Sequence, residues 1–191
     1  MKVRLLDLRP TQFSLGLHEV EDKISKMEEM HHTALKKYLA EHVVPVVLGP
    51  GGNIYLIDHH HLTRALWELG ETEVEVDIKA DFSKLSKKKF WAMMKKLKWI
   101  FLYDQFGGGP HTPQELPMSI RGLADNPYRS LAWLVRMRGG FNKASIPFAE
   151  LYWAQYFRKH MRGFDPLSKK AIAKGLALCK LKGAKRLPGF K

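Results

Sequence analysis

The segment from residue 43 to residue 70 constrains the fold more than any other part of the sequence. A β-branched run, VVPVVL, is followed by Gly-Pro-Gly-Gly-Asn and then by a second apolar run, IYLI. Two apolar runs on either side of a turn rich in Gly and Pro are typical of a β-hairpin. The second run passes through Asp58 directly into HHHLTRALWEL, whose apolar residues recur at helical spacing before Gly70. We therefore predict a strand, a turn, a strand and a helix in this order.

The GPGG stretch within this hairpin, residues 49–52, also resembles a phosphate-binding loop. A P-loop would continue into Lys-Ser or Lys-Thr and open a helix. Here Asn53 and a second apolar run follow instead. We therefore interpret GPGG as a plain hairpin turn.

The flanking segments complete an α+β pattern. Residues 3–10 predict a strand that ends at Pro10, and residues 72–82 alternate apolar and charged residues, as in a half-buried strand. Segments 17–30 and 32–42 predict polar-faced helices, and further helices are predicted after residue 82, separated by a Gly- and Pro-rich loop at 103–117. We expect a small α/β unit over residues 1–81 and a basic, mainly helical region over residues 82–191 that packs on it.

Charge divides the chain at the same place. Residues 1–81 contain 9 Lys and Arg against 14 Asp and Glu, which gives −5. Residues 82–191 contain 23 against 5, which gives +18. Such a basic region favours polyanionic partners, because neutralising phosphates releases their condensed counterions. The alternative is that these lysines only solvate the surface. The single cysteine, Cys179, excludes an internal disulfide and a Cys-rich zinc site, and no apolar run is long enough to span a membrane, so we expect a cytoplasmic protein.

Three consecutive histidines, His59, His60 and His61, are the main candidates for chemistry. Consecutive helical residues point about 100° apart, so the three cannot ligate one ion from a regular helix. A metal site would need Asp58, His31 or His111 as further ligands. A strand that turns directly into a helix also presents backbone N–H groups and the positive end of the helix dipole, which together form an anion site. Asp58 could instead be a simple helix cap. Histidines here would add groups that titrate near neutral pH.

Other residues could take part in such a site. Glu19 is a candidate general base, and Gln12 lies nearby in sequence. Arg129, in DNPYRS, could contact an anion or could only begin a helix capped by Asp125 or Asn126. The tryptophans Trp91, Trp133 and Trp153 fit a core better than base-stacking platforms.

The order of these elements resembles the ParB/sulfiredoxin superfamily over residues 1–81. The features that carry the resemblance are an RPTQ turn, the VPVVLGPGG strand and YLIDHHHLTRAL. The similarity is greatest to the family called "putative ParB-like nucleases", and it continues through DNPYRSLAW and FAELYWAQYFR. The resemblance implies that the strand-to-helix turn, Asp58 to Leu62, binds phosphate, as it does for CTP in ParB proteins and for ATP or ADP in sulfiredoxin and the free-serine kinases.

Single positions refine this expectation. The serine kinases have Asp-Gly-His-His-Arg at the turn, whereas this chain keeps Asp58, His60 and His61 but has His59 for glycine and Leu62 for arginine. Arg64 matches only the last arginine of the ParB motif. Sulfiredoxin requires cysteine at the position of His60, so its repair chemistry is not expected. The catalytic glutamate of the kinases falls near Gln12, so Glu19 would have to replace it.

From the residues and the resemblance together we predict a phosphate- or nucleotide-binding ParB-like protein that acts on nucleic acid as a nuclease or phosphodiesterase. The predicted catalytic residues are Asp58, His60, His61 and Glu19, and the predicted phosphate-binding residues are His59, His60, His61, Arg64, Gln12 and Arg9. The alternatives are a non-catalytic DNA-associated module and a small-molecule kinase like the free-serine kinases. Nucleotide and divalent metal both stay open as cofactors, and no metal ligands are assigned.

Overall fold

A computed structural model of the chain describes residues 1–161, 163 and 165–191. Its centre is a mixed five-stranded sheet in the order β1-β6-β4-β5-β2. Strand β6 is antiparallel to β1 and parallel to β4, while β5 is antiparallel to β4 and parallel to β2. These strands are β1 (Lys2–Arg4), β2 (Leu8–Pro10), β4 (Val44–Leu48), β5 (Ile54–Leu56) and β6 (Glu73–Asp81). The α+β fold and its mixed sheet are as predicted.

The first predicted strand is wrong in one respect. Residues 3–10 form two strands at opposite edges of the sheet, joined by a 3-10 turn at Leu5–Asp7. Leu5 and Leu8 are fully buried, whereas Leu6 is 39% exposed. A spacing of three between buried residues suits a 3-10 turn and breaks the alternation of a strand. The Leu5 N–H, which donates to the Thr72 oxygen at 2.9 Å, ties the turn to the residues before β6.

The predicted hairpin and helix are confirmed. Strands β4 and β5 pair through a 3-10 turn at Pro50–Gly52, in which Gly51 and Gly52 have φ of 74° and 75°. Only glycine adopts such angles without steric cost, which explains the Gly-Gly pair in the turn. The chain then runs from β5 through residues 57–59 into helix α3 (His60–Glu68).

Helices cover both faces of this sheet. Helices α1 (Leu17–Glu28), α2 (His32–Glu41) and α3 pack on one face, around Val44, Val46 and Leu56. Helix α4 (Lys87–Lys96) packs on the other face, where Phe90 and Met94 meet Val47 and Tyr55. The sheet residues of the two cores alternate along β5, as the pleat requires.

A second core lies among the later helices. These are α5 (Pro127–Met137), α6 (Ala149–His160) and α7 (Lys169–Leu178). Trp153 and Phe157 are fully buried there, and Trp133 is 8% exposed, which places both tryptophans in the core as predicted. The predicted loop at 103–117 contains only a single 3-10 turn, Pro113–Glu115. No helix in the described part of the chain is long and apolar enough to cross a membrane.

The two halves are joined by backbone pairing. Strand β3 (Ser14–Leu15) lies parallel to β7 (Ala124–Asp125), and the Asn126 N–H donates to the Leu15 oxygen at 2.7 Å. This pairing places the start of α5 beside the start of α1. A Cβ on Gly16 would lie 2.7 Å from Ser130 Oγ and 2.8 Å from its backbone nitrogen, so glycine permits this close approach. The domain boundary at residue 81 stays a prediction, and α4 shares its core with the sheet on the other side of that boundary.

Candidate functional site

The strand-to-helix turn opens into a cleft of about 330 Å³ between the two halves. We call it the histidine cleft. Its residues come from α1, the end of α2, the turn and the start of α3, from α5, and from the segment before α6 and the first turn of α6. They are Glu19, Asp22, Lys23, Lys26, Tyr38, His42, Asp58, His59, His61, Leu62, Arg129, Trp133, Arg136, Met137, Lys143 and Glu150.

The turn itself has an unusual backbone. His59 precedes α3 with φ of 63° and ψ of 24°, in the left-handed region that glycine adopts most readily. The serine-kinase motif has glycine at the matching position, and glycine adopts this backbone conformation without steric cost. Asp58 Oδ1 accepts a hydrogen bond from the His59 N–H at 2.7 Å and so stabilises the turn without capping the helix.

The N–H groups of the first helical turn face no acceptor. The Thr63 N–H donates to the His59 oxygen at 2.9 Å and is the first to be satisfied within α3. In the described part of the chain, the N–H groups of His60, His61 and Leu62 have no hydrogen-bond acceptor. Unsatisfied donors of this kind, with the positive end of the helix dipole, attract anions.

An alternating row of charges forms the wall of the cleft. Glu19 Oε2 lies 2.9 Å from Arg129 Nη2, and Glu150 Oε2 lies 3.6 Å from the same nitrogen. Arg136 Nε lies 2.8 Å from Glu150 Oε1. The Glu19–Arg129 contact is ionic rather than a directed hydrogen bond, because Oε2 has no partner of hydrogen-bonding geometry among the described residues. The row links α1, α5 and α6 across the two halves.

These charges control the ionisation of the buried groups. Burial by itself would raise the pKa of Glu19, but His61 and Arg129 outweigh burial and lower it to about 2. Burial lowers the pKa of His61 to about 4, although Glu19 opposes the change. Glu19 is therefore charged and His61 neutral at neutral pH. His61 Nε2 accepts a hydrogen bond from the Gly16 N–H at 3.1 Å, which leaves the proton of the neutral ring on Nδ1.

His60 lies outside the cleft. It is 3% exposed, and its Nε2 accepts a hydrogen bond from the Thr11 N–H at 3.3 Å. Burial, with smaller contributions from His61 and His59, lowers its pKa to about 3, so the ring is neutral. In this arrangement His60 joins the end of β2 to the start of α3 and does not line the cleft.

The three other predicted contacts also lie elsewhere. Gln12 is buried, and its Nε2 donates to the Ser14 oxygen at 2.7 Å. Arg64 pairs with Glu68 at 2.8 Å and donates to the Leu123 oxygen at 3.2 Å, which fastens α3 to the segment before β7. Arg9 lines a different groove, with Trp91. The structure thus brings together Glu19, Asp58, His59 and His61 and separates them from these residues.

Sequence reasoning missed Lys23, Arg136, Lys143 and Glu150, and it named Arg129 only as an open possibility. Arg129 and Arg136 are seven residues apart, so helical periodicity could have placed them on one face of α5. No local pattern indicates that this face meets Glu19, more than a hundred residues earlier in the sequence.

A second cavity of about 410 Å³ adjoins the histidine cleft. It shares Asp58, Lys143 and Glu150 with the cleft and is otherwise largely apolar. Its apolar walls are Pro45, Ile57, Trp99, Ile146, Pro147 and Phe148. A volume of this size, mostly apolar with a few polar groups, is typical of small-molecule pockets.

The donor set of the cleft does not suit a metal ion. No group of three or more His, Cys, Asp or Glu side chains in the described residues has the arrangement of a metal site. Glu19 and Glu150 are held by arginines, and His61 Nε2 is occupied by the Gly16 N–H.

Comparison with known proteins agrees with this architecture. A family model described as "Putative ParB-like nuclease" matches residues 1–159, which spans both halves of the cleft. The crystal structure of protein Atu1540 from Agrobacterium tumefaciens is similar at a TM-score of 0.88 and 36% sequence identity, covering 100% of this chain and 97% of that chain. No curated protein matches the sequence. The chain belongs to the family of "Putative ParB-like nuclease" proteins.

Proposed function

We propose that the histidine cleft binds a phosphate group of a nucleic acid or nucleotide, and that the protein acts on nucleic acid as a phosphodiesterase. One observation carries the binding part of the proposal. Lys23 and Lys143 line the cleft beside the first turn of α3, where the N–H groups of His60, His61 and Leu62 have no acceptor in the described residues. Both lysines act electrostatically on His59, which precedes the turn.

Some cations of the cleft are paired with carboxylates and others are not, and this difference explains why an anion would bind at the turn. Arg129 and Arg136 are neutralised by Glu19 and Glu150, and Lys26 Nζ lies 2.6 Å from Asp22. No carboxylate in the described residues lies within ion-pair distance of Lys23 or Lys143. Their charge is therefore available to a ligand, and backbone donors at the helix start would share it.

The adjoining apolar cavity supports a ligand that combines phosphate with a base. Trp99 and Phe148 offer aromatic surface there, and base–aromatic stacking is tolerant of sequence. Lys143 and Asp58 line both the cleft and this cavity, so they would lie between a phosphate at the turn and a base in the cavity. The +18 charge of residues 82–191 would attract the rest of a polyanion.

In the catalytic part of the proposal, His61 contacts the scissile phosphate. The neutral ring carries its proton on Nδ1 and can donate it in a hydrogen bond to a phosphate oxygen. A bound phosphate would add negative charge beside the ring and favour its protonated form, in which Nε2 releases the Gly16 N–H and carries a proton facing Glu19 Oε2, 3.8 Å away. As a water oxygen attacks phosphorus and the P–O bond to the leaving group breaks, the imidazolium would pass its Nδ1 proton to the leaving oxygen and the water proton would go to solvent. Glu19, held by Arg129, would position His61 rather than act as a base, since its pKa of about 2 leaves it a weak proton acceptor.

The second candidate is a non-catalytic binding module, and one observation favours it. General acid–base catalysis works best when a group has a pKa near the working pH. Burial holds the pKa of His61 at about 4, and the arginines occupy both glutamates. Binding without turnover would agree with these ionisation states.

The test measures binding and turnover separately. Binding of labelled single-stranded and duplex DNA and RNA is followed by fluorescence anisotropy, and cleavage is followed on gels with magnesium, manganese or a chelator. Lys23→Gln and Lys143→Gln should weaken binding, whereas Arg138→Gln, on the exposed end of α5, should not. His61→Gln can place its Oε1 where Nε2 accepts from the Gly16 N–H, and it should abolish cleavage while preserving binding. Binding without cleavage would support the module, and binding unaffected by Lys23→Gln and Lys143→Gln would refute the phosphate site.

A further inference from the structure

A groove of about 200 Å³ lies on the sheet face that carries α4, and it shares no lining residue with the histidine cleft. We call it the tryptophan groove. It runs between α4, the hairpin turn and residues 113–118. The residues important here are Arg9, Asn53, Tyr55, Lys87, Trp91 and Gln114.

An aromatic surface forms the floor of the groove. The Trp91 ring meets the Tyr55 ring edge-on at 5.1 Å and the Phe90 ring at 4.7 Å, so neighbouring rings fix its orientation. Unlike Trp153, which is fully buried in the second core, Trp91 is only half-buried and lines the groove. The expectation that Trp91 is a core residue therefore holds only in part, because part of the side chain is exposed in the groove.

The charged residues that line this groove, Arg9 and Lys87, are both cations. Residues 82–103 contain seven lysines and no acidic residue. Lys87, Lys88 and Lys89 form the first turn of α4 and are all exposed. No carboxylate in the described residues lies within ion-pair distance of these three side chains.

The placement of these lysines opposes the stability of α4. Cations at the start of a helix are repelled by the positive end of its dipole, and acidic residues are preferred there. The first turn of α4 contains none. A local arrangement that works against folding is expected where the residues serve another purpose.

We propose that the tryptophan groove and the lysines of α4 bind single-stranded nucleic acid. One base stacks on Trp91, Asn53 and Gln114 lie within reach of its polar edge, and Arg9 and Lys87 contact the adjoining phosphates. Aromatic side chains interleaved with cations are the usual means of binding single strands. We expect a single strand to bind more tightly than a duplex, because the bases of a duplex are stacked on one another and cannot reach a ring on the floor of a groove. The inference is independent of the phosphate site in the histidine cleft.

Anisotropy of a labelled oligothymidylate of about 12 nucleotides, a length typical of such surfaces, tests the proposal with the full chain. Trp91→Ala should weaken binding by about 5- to 150-fold, the loss that removal of one base–aromatic stack gives. Trp91→Phe should retain most of the affinity. Because Trp91 also packs on Tyr55 and Phe90, circular dichroism must show that each variant is folded.

Lys87→Glu separates binding from folding, because it should change the two in opposite directions. The acidic side chain suits the first turn of α4 and should raise the unfolding temperature. The same change should weaken binding and reduce the slope of log affinity against log salt by about 0.7 for each phosphate that the protein no longer neutralises. Lys36→Glu, an exposed position on α2, makes the same change in net charge on the other face of the sheet and is the matched control.

Three outcomes would overturn the inference. The first is wild-type affinity in Trp91→Ala. The second is equal weakening by Lys87→Glu and Lys36→Glu, which would show only a general effect of charge. The third is an equal loss of heparin affinity and single-strand affinity in Trp91→Ala, which would indicate a polyanion surface that does not read bases. Loss of binding in Lys23→Gln or Lys143→Gln would bear on the histidine cleft alone.

Discussion

Replacing Arg129 by methionine tests the charge row that joins the two halves. The side chains of Glu19 and Arg129 are 12% and 8% exposed, so methionine would leave a buried carboxylate without its closest counter-ion. Removing one partner of a buried ion pair costs about 3–5 kcal/mol. The lowered pKa of Glu19 agrees in direction, because Arg129 is one of the cationic groups, after His61, that hold the carboxylate in its charged form against burial.

Urea unfolding followed by circular dichroism measures this cost. At neutral pH, Arg129→Met should lower the free energy of unfolding by about 3–5 kcal/mol. Arg129→Met combined with Glu19→Gln should recover most of the loss, because no unpaired buried carboxylate remains at position 19 and Glu150 keeps its ion pair with Arg136. Arg138→Met, on the exposed end of the same helix, should stay within about 0.5 kcal/mol of wild type.

The pH dependence gives a second measurement of the same contact. A carboxyl whose pKa is lowered in the folded state contributes stability that is complete above the unfolded pKa of 4.5 and is lost as the pH falls toward 2. The gap between wild type and Arg129→Met should therefore narrow over this window. The reasoning is refuted if Arg129→Met costs no more than Arg138→Met, or if adding Glu19→Gln restores nothing.

Three further perturbations test other parts of the structure. Acidification should destabilise the protein at a higher pH than the range in which Glu19 titrates. Burial lowers the folded-state pKa values of His60 and His61 from 6.5 to about 3 and about 4, so the stability that the neutral rings contribute is complete above pH 6.5 and is lost as the pH falls. A urea midpoint that stays constant from pH 6.5 to 4.5 would contradict this. His59→Gly should raise the free energy of unfolding by up to about 1 kcal/mol, because glycine relieves the steric strain of a left-handed residue by more than it costs in backbone entropy. A lower free energy of unfolding in calorimetry would count against this. Gly16→Ala should lower the free energy of unfolding in urea by about 1–3 kcal/mol, since the added Cβ would push Ser130 and α5 away from α1. An unchanged free energy of unfolding would mean that α1 and α5 are not closely packed at Gly16.

Local patterns predicted most of the secondary structure. The hairpin, α3 and the later helices follow from apolar spacing and from Gly, Pro and Ser at their ends, all of which act within a few residues. The error at Leu5–Asp7 arose because an edge strand and a 3-10 turn differ only in which leucines are buried, and burial depends on the rest of the fold.

The candidate site was less accessible to sequence reasoning. The motif located the turn, and four of the predicted residues line one cleft. The motif could not show that His60 packs inward against Thr11, because strand alternation stops at the turn. Nor could it show that α5 and α6 supply the cations and acids opposite, because the parallel pairing of β3 with β7 that places them there involves only two residues from each strand.

The sharing of one core across the predicted boundary has a practical consequence for fragment work. Ile120 and Leu123 lie in the core of the sheet and α1–α3, and Phe90 and Met94 close the opposite face. A fragment ending at residue 81 would expose both faces and would also remove the counter-ion of Glu19. The roles of the turn residues therefore cannot be tested in a fragment of residues 1–81. They are better tested by point substitution in the whole chain, or in a fragment that keeps α4 and residues 118–137 together with the sheet.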